Sequence, residues 1–203
     1  MSSFKKSQYQ RQEQLINDSE IFENDPGSGF FKGRYRPFVL KDELKNLYAL
    51  IRTDVLKYFA DNDISWWGGN RPSGHTLSSQ IACLNHLFAI RNDRDAVLSL
   101  LNGVRNEFKD VLPVKCDKES AFIGFEVVSK DDHLNEKTCT RGSNCTSVDA
   151  FILARHREND SVWLIPIEWK YTESYENQDK SNEDRDNEPK GSNGKGMERL
   201  RRY

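Results

Sequence analysis

The chain has 203 residues, 36% hydrophobic and 31% charged, with 30 Lys plus Arg against 32 Asp plus Glu and a formal net charge of −2. That length suits one domain with a real core, or a core domain with an appendage. The charge balance excludes a uniformly basic coat for nucleic acid, and the lack of a signal-like or long apolar stretch speaks against export or a membrane, so a cytoplasmic protein is expected.

The cysteines fit a reducing compartment. Cys83, Cys116, Cys139 and Cys145 form no CxxC pair, and their spacing, like the scattered His75, His86, His133 and His156, matches no common zinc pattern. Residues 1 to about 20 are rich in Lys, Gln, Ser and Glu and read as a tail or a loosely attached helix. Phe30 to Phe38, FFKGRYRPF, interleaves basic and aromatic side chains. Such a stretch can grip phosphates and stack bases, although an arm laying its aromatics on the core is the favoured reading.

From Lys41 to Asp61, Leu44, Leu47, Tyr48, Ile51, Val55, Leu56 and Phe59 recur at helical spacing. Trp66 to Gly74 is a loop by its glycines and proline, with tryptophans that anchor it. A second helix is expected over His75 to Ile90, capped by Ser73 or Thr76, and a third from near Asp93 to Asp110. Ala121 to Val128 then reads as a strand in which Glu126 sits among apolar neighbours; a carboxylate there must be paired, protonated or metal-bound. Lys130 to Ser147 is a polar connection.

The most informative stretch is Ser147 to Tyr171, a β-hairpin by its alternation. In the first arm Asp149, Phe151 and Leu153 alternate with Val148, Ala150, Ile152 and Ala154. In the second, Trp163, Ile165, Ile167, Trp169 and Tyr171 form an apolar face against a core, leaving Glu168 and Lys170 together on the other. The turn is the polar run Arg155 to Ser161. Paired arms, with strands roughly 4.8 Å apart, bring Asp149 beside Glu168 and Lys170. Two carboxylates so close repel unless compensated, and a hard divalent cation, Mg²⁺ or Mn²⁺, is the natural compensation. Lys170 is then placed to orient or deprotonate an attacking water. An ordinary ion pair between Glu168 and Lys170 is the plainer alternative.

Asp149 followed by Glu168-Trp169-Lys170 resembles the Asp…(Asp/Glu)-x-Lys signature of the PD-(D/E)XK, or restriction-endonuclease-like, nuclease superfamily. The flanking segments Ile123-Gly124-Phe125-Glu126, Leu134-Asn135-Glu136 and Thr140-Arg141-Gly142-Ser143-Asn144 strengthen the likeness over residues 75 to 175, and together they resemble a bacterial branch of that superfamily. The resemblance implies an α/β fold with a restriction-endonuclease-like core, a mixed β-sheet flanked by helices, behind an N-terminal helical extension. It implies a Mg²⁺-dependent (or Mn²⁺-dependent) DNA nuclease whose catalytic residues are Asp149, Glu168, Lys170 and Glu126, the three acids holding metal. Arg141, as a phosphate clamp or a partner of Glu136, together with Gln80 and Glu136, are lesser substrate-binding candidates. DNA is the expected partner, a homodimer is compatible, and no membrane is involved.

This sequence departs from the pattern in three ways. Val148 stands where a proline precedes the aspartate, and the helix from His75 offers Ser78, Ser79, Gln80 and Asn85 but no acid. The αβββαβ order of that superfamily is also met only as far as the start of its second helix, so a shortened variant and a truncated product both fit. The expected division is an arm over 1–40, a nuclease-like domain over 41–175, and a polar loop with the start of a helix over 176–203. A non-catalytic nucleic-acid-binding or assembly module on the same fold is the alternative function.

Overall fold

The computed structural model describes residues 3–18, 20–67, 69–115, 118–129, 131, 140–142 and 146–172. The sheet is organised on its longest strand, β5 (Val148–His156). One edge of β5 pairs first with β4 (Ile123–Val127) and further along with β3 (Phe108–Leu112), while β6 (Val162–Ile167) runs down the other edge. All these pairings are antiparallel. Ala150, Ile152 and Ala154 of β5 are wholly buried, and these small and β-branched side chains let helices lie close on the sheet.

Three helices cover that face. α2 (Ala49–Asp61) contributes Ile51, Val55 and Phe59, α3 (Ser79–Leu87) contributes Ile81, Leu84 and Leu87, and α4 (Arg94–Val104) contributes Val97 and Leu101. On the hairpin's second arm Ile165, Ile167 and Trp169 pack against this core as the alternation predicts. Trp163 is instead half-exposed and stacks on His156 at 5.3 Å.

The helix bounds differ from the periodicity for local reasons. The expected helix over Lys41 to Asp61 is a 3-10 turn at Glu43–Asn46 followed by α2. It breaks because buried Asn46 donates its side-chain amide to the carbonyls of Ser73 and His75, and Tyr48 donates its N–H to Asn85 Oδ1. The second helix begins at Ser79 with Ser78 as its cap, because Thr76 spends its hydroxyl on Phe38 O and Ser73 accepts from His75 N–H. The expected third helix ends at Val104, and Phe108 to Leu112 is strand β3. Asn102 brings this about by bonding both the N–H and the C=O of Phe108, turning the chain onto β5.

The N-terminal segment is a docked helix, α1 (Ser3–Asp18), with Ile16 5% exposed, Tyr9 stacked on Phe38 at 4.0 Å and Gln12 donating to the Tyr171 hydroxyl. After it, FFKGRYRPF forms a hairpin of β1 (Gly29–Phe31) and β2 (Arg34–Arg36). Its two-residue turn, Lys32-Gly33, has both φ values positive, at 46° and 80°, which matches the twist of the arms. A Cβ on Gly29 would come within 2.1 Å of Leu40 O, so only glycine allows the hairpin to lie this close. Asp25, 3% exposed, fixes the approach by accepting from the N–H groups of Gly27, Lys41 and Asp42.

Tyr58 of α2 ties the helix layer to the sheet, since its hydroxyl accepts from Phe125 N–H at 3.0 Å. Removing that hydroxyl leaves a buried donor without an acceptor, at a cost of about 1–3 kcal/mol. Tyr58→Phe should therefore lower the free energy of unfolding by that amount, read as a lower urea midpoint at unchanged slope.

Candidate active site

The candidate acids meet where β4, β5 and β6 end. Phe125 pairs with Ala150 and Val127 with Val148, which sets Glu126 across from Asp149; Ala150 pairs with Ile167, which brings Glu168 alongside from the other edge. The backbone fixes the last of these relations, because Trp169 N–H donates to Asp149 Oδ2 at 2.6 Å. Asp149 Oδ1 accepts no hydrogen bond among the described residues. Glu168, 56% exposed, is ion-paired with Lys170, 49% exposed, at the cleft's rim.

Glu126 is held differently. Its φ of 49° leaves the strand region, so alternation fails and Ile123 to Glu126 are all buried. At 6% exposure its charge needs partners, and both oxygens have one: Gln80 Nε2 donates to Oε1 at 2.7 Å and Ser147 Oγ to Oε2 at 2.6 Å. Gln80 in turn accepts from Trp67 N–H at 3.0 Å. The helix that lacks an acid thus sends a neutral amide to the buried one. Beneath, Cys83 lies with Gln80, Glu126 and Asp149 around a gap too small to admit water, and burial and the nearby carboxylates push its thiol up, leaving it protonated and inert.

Burial also raises Asp149 from the ordinary carboxylate range to about 6; Glu168 and Glu126 push the same way, while the Trp169 N–H and Lys170 oppose it. A carboxyl held up by burial and by two like charges is a site of excess negative potential, which a cation would relieve. The donors are hard oxygens, and Mg²⁺ is content with one or two carboxylates beside water and phosphate oxygens. By chemistry Asp149 and Glu168 therefore fit such an ion. Among the described residues no three His, Cys, Asp or Glu side chains are grouped as a metal site; Glu126 is engaged by Gln80 and Ser147, and Glu168 by Lys170.

Arg141 turns inward. Its Nε donates to Glu126 O at 3.0 Å and its Nη2 to Phe125 O at 2.5 Å, so it holds the end of β4, and Ser65 N–H donates to the Arg141 carbonyl at 2.8 Å. Glu136 lies outside the described residues. Glu126, Asp149 and Lys170 line a cleft of about 650 Å³ that is also lined by Lys32 and Arg36 of the N-terminal arm and by Trp67 of the loop after α2. The interleaved basic and aromatic residues of the arm were a visible signal in the sequence, where packing on the core was favoured over a grip on phosphates and bases.

A helix layer on an antiparallel sheet, with an acid at one strand end and Glu-Trp-Lys closing the next, defines a restriction-endonuclease-like protein. The family model described as Restriction Endonuclease associating with ARP matches residues 5–203, and the chain belongs to that family. No curated protein and no solved structure matches the chain. No helix among the described residues is long and apolar enough to cross a membrane.

The raised Asp149 gives a test that needs no substrate. The folded protein keeps this proton to higher pH than the unfolded chain, so ionising Asp149 costs stability, not at all below pH about 4 and fully above pH about 6. Asp149→Asn in EDTA should gain on the order of 1 kcal/mol at pH 7.5 after solvent screening, and nothing at pH 4. Urea unfolding at the two pH values measures the difference.

Proposed function

We propose that the protein is a metal-dependent nuclease that hydrolyses phosphodiester bonds in DNA. The observation that carries this reading is the backbone-fixed juxtaposition of Asp149 with Glu168-Trp169-Lys170 at the mouth of a cleft. Asp149 and Glu168 would hold Mg²⁺ or Mn²⁺, with Glu126 the third acid once its oxygens are released. The bound ion would polarise the scissile phosphate and lower the pKa of a water. Lys170 has two parts to play: its ammonium positions that water and offsets charge developing on the phosphate oxygens. Until that release Ser147 and Gln80 hold Glu126 across from Asp149. DNA, supplied in a cytoplasm-like reducing setting, is the substrate proposed, and the family's description makes a protein partner a further proposal for this chain.

The engagement of both Glu126 oxygens favours one other reading, a non-catalytic module that binds nucleic acid on the same fold. The two separate cleanly. With Mg²⁺ or Mn²⁺ present, wild type should cleave DNA, EDTA should stop it, and Asp149→Ala or Lys170→Ala should each lower the rate about a hundredfold or more with the circular dichroism spectrum unchanged. Cleavage that survives both substitutions refutes the mechanism. Metal-independent binding without turnover supports the module.

A further inference from the structure

The cleft wall beside the acids is built from the N-terminal arm and the loop that carries Trp67, and its chemistry is opposite to theirs. Lys32 stands at the tip of the β1–β2 turn with its ammonium 4.8 Å from the centre of the Trp67 ring. Arg36 follows across the hairpin, and neither Lys32 nor Arg36 forms an ion pair with a carboxylate among the described residues. Trp67 is 45% exposed and lies 5.7 Å from Phe31, with the rings tilted by 32°. His75 sits beneath, in edge contact with Phe31 at 4.9 Å and Phe38 at 5.2 Å. Burial, followed by the charges of Arg36, Lys5 and Lys32, lowers its pKa to about 4, so it stays neutral and adds no charge of its own. This surface is an aromatic shelf edged with cations across from a cluster of carboxylates, and Gln80 links the two by bonding Trp67 N–H on one side and Glu126 on the other.

An aromatic shelf bordered by cations suits one polymer above others. Bases stack on it through their π-faces while the phosphates meet the charges, and the stacking is indifferent to sequence. In a duplex those faces are covered by neighbouring base pairs. A cleft of about 650 Å³ is of the size that encloses a small ligand, enough for a nucleotide or two and not for a double helix.

We propose that Lys32, Arg36 and Trp67 form a binding wall for single-stranded DNA, so that the protein takes an unpaired strand or frayed end into the cleft and prefers it to duplex. Where the nuclease reading holds, the wall sets which substrates reach Asp149 and Lys170. It rests on that reading only for what happens after binding.

The test uses the full chain in EDTA, where cleavage is silent, with a short fluorescein-labelled single strand of mixed sequence and the same strand annealed to its complement. Anisotropy should show the single strand bound at least about tenfold tighter than the duplex. Lys32→Asn with Arg36→Gln keeps a residue that accepts the left-handed turn while removing both charges. It should weaken binding about tenfold or more and flatten the dependence of log K on log salt by about 1.4, at about 0.7 per phosphate contact. Trp67→Ala should cost about tenfold with little change in that slope. Arg105→Glu, an equal charge change at an exposed site outside the cleft lining, should leave binding within about twofold.

Equal or tighter binding of duplex, no binding of the single strand at low salt, or variants that bind as wild type would each overturn the proposal. Selective binding that follows these residues, combined with no cleavage when Mg²⁺ is added, would uphold the wall and reject the nuclease reading.

Discussion

Burying the Glu126 carboxylate constrains everything around it. A charge at 6% exposure is tolerable only when both oxygens are bonded, and here the donors come from α3 through Gln80 and from the segment entering β5 through Ser147. The backbone at Glu126 leaves the strand conformation to make those bonds, and Arg141 takes up the carbonyls of Phe125 and Glu126 at the same place. Gln80 carries the constraint outward to Trp67 and so to the arm. One acid therefore fixes the relative position of the helix layer, the sheet end and the far wall of the cleft. The strain is local and the surroundings over-determine it, as expected where geometry serves a site.

The cleft that results is divided by charge. On the sheet side burial and the acidic neighbours hold the Asp149 carboxyl above the ordinary carboxylate range, and on the arm side Lys32 and Arg36 lie without carboxylate partners among the described residues. Opposite charges across a cleft with apolar walls would neutralise each other if the walls met. Here the aromatic shelf and the Gln80 bridge hold them apart. Under the proposed function a phosphodiester with a bound cation would satisfy both walls together, its oxygens meeting the cations of the arm and its metal the acids of the sheet.

The hairpin from Val148 to Ile167 was legible because a half-buried strand writes its two faces as alternation, and the buried setting of Glu126 was legible from the apolar residues on both sides. Strand β3 was hidden because Val104 and Phe108 continue the helical spacing, while the signal that ends the helix is Asn102 bonding Phe108, a contact between a side chain and a later backbone group. The structural part of Arg141 was hidden for a similar reason. An arginine near an acid suggests a phosphate or a carboxylate, and the bonds it makes to the carbonyls of Phe125 and Glu126 carry no mark in the sequence. The arm's chemistry was visible in Phe30 to Phe38, but its place opposite the acids depends on α1 and the Asp25 bonds across the chain. Local periodicity reaches the strands and helices; it does not reach side chains that bond backbone groups far along the chain.

The central claim is that Asp149 and its neighbours form a divalent-cation site, and Mn²⁺ binding to the full chain by calorimetry tests it most directly, comparing wild type with Asp149→Asn at pH 7.5 and matched salt. The account predicts saturable binding by wild type and none by the variant. Indistinguishable isotherms for the two proteins, whether both saturating or both flat, would contradict it.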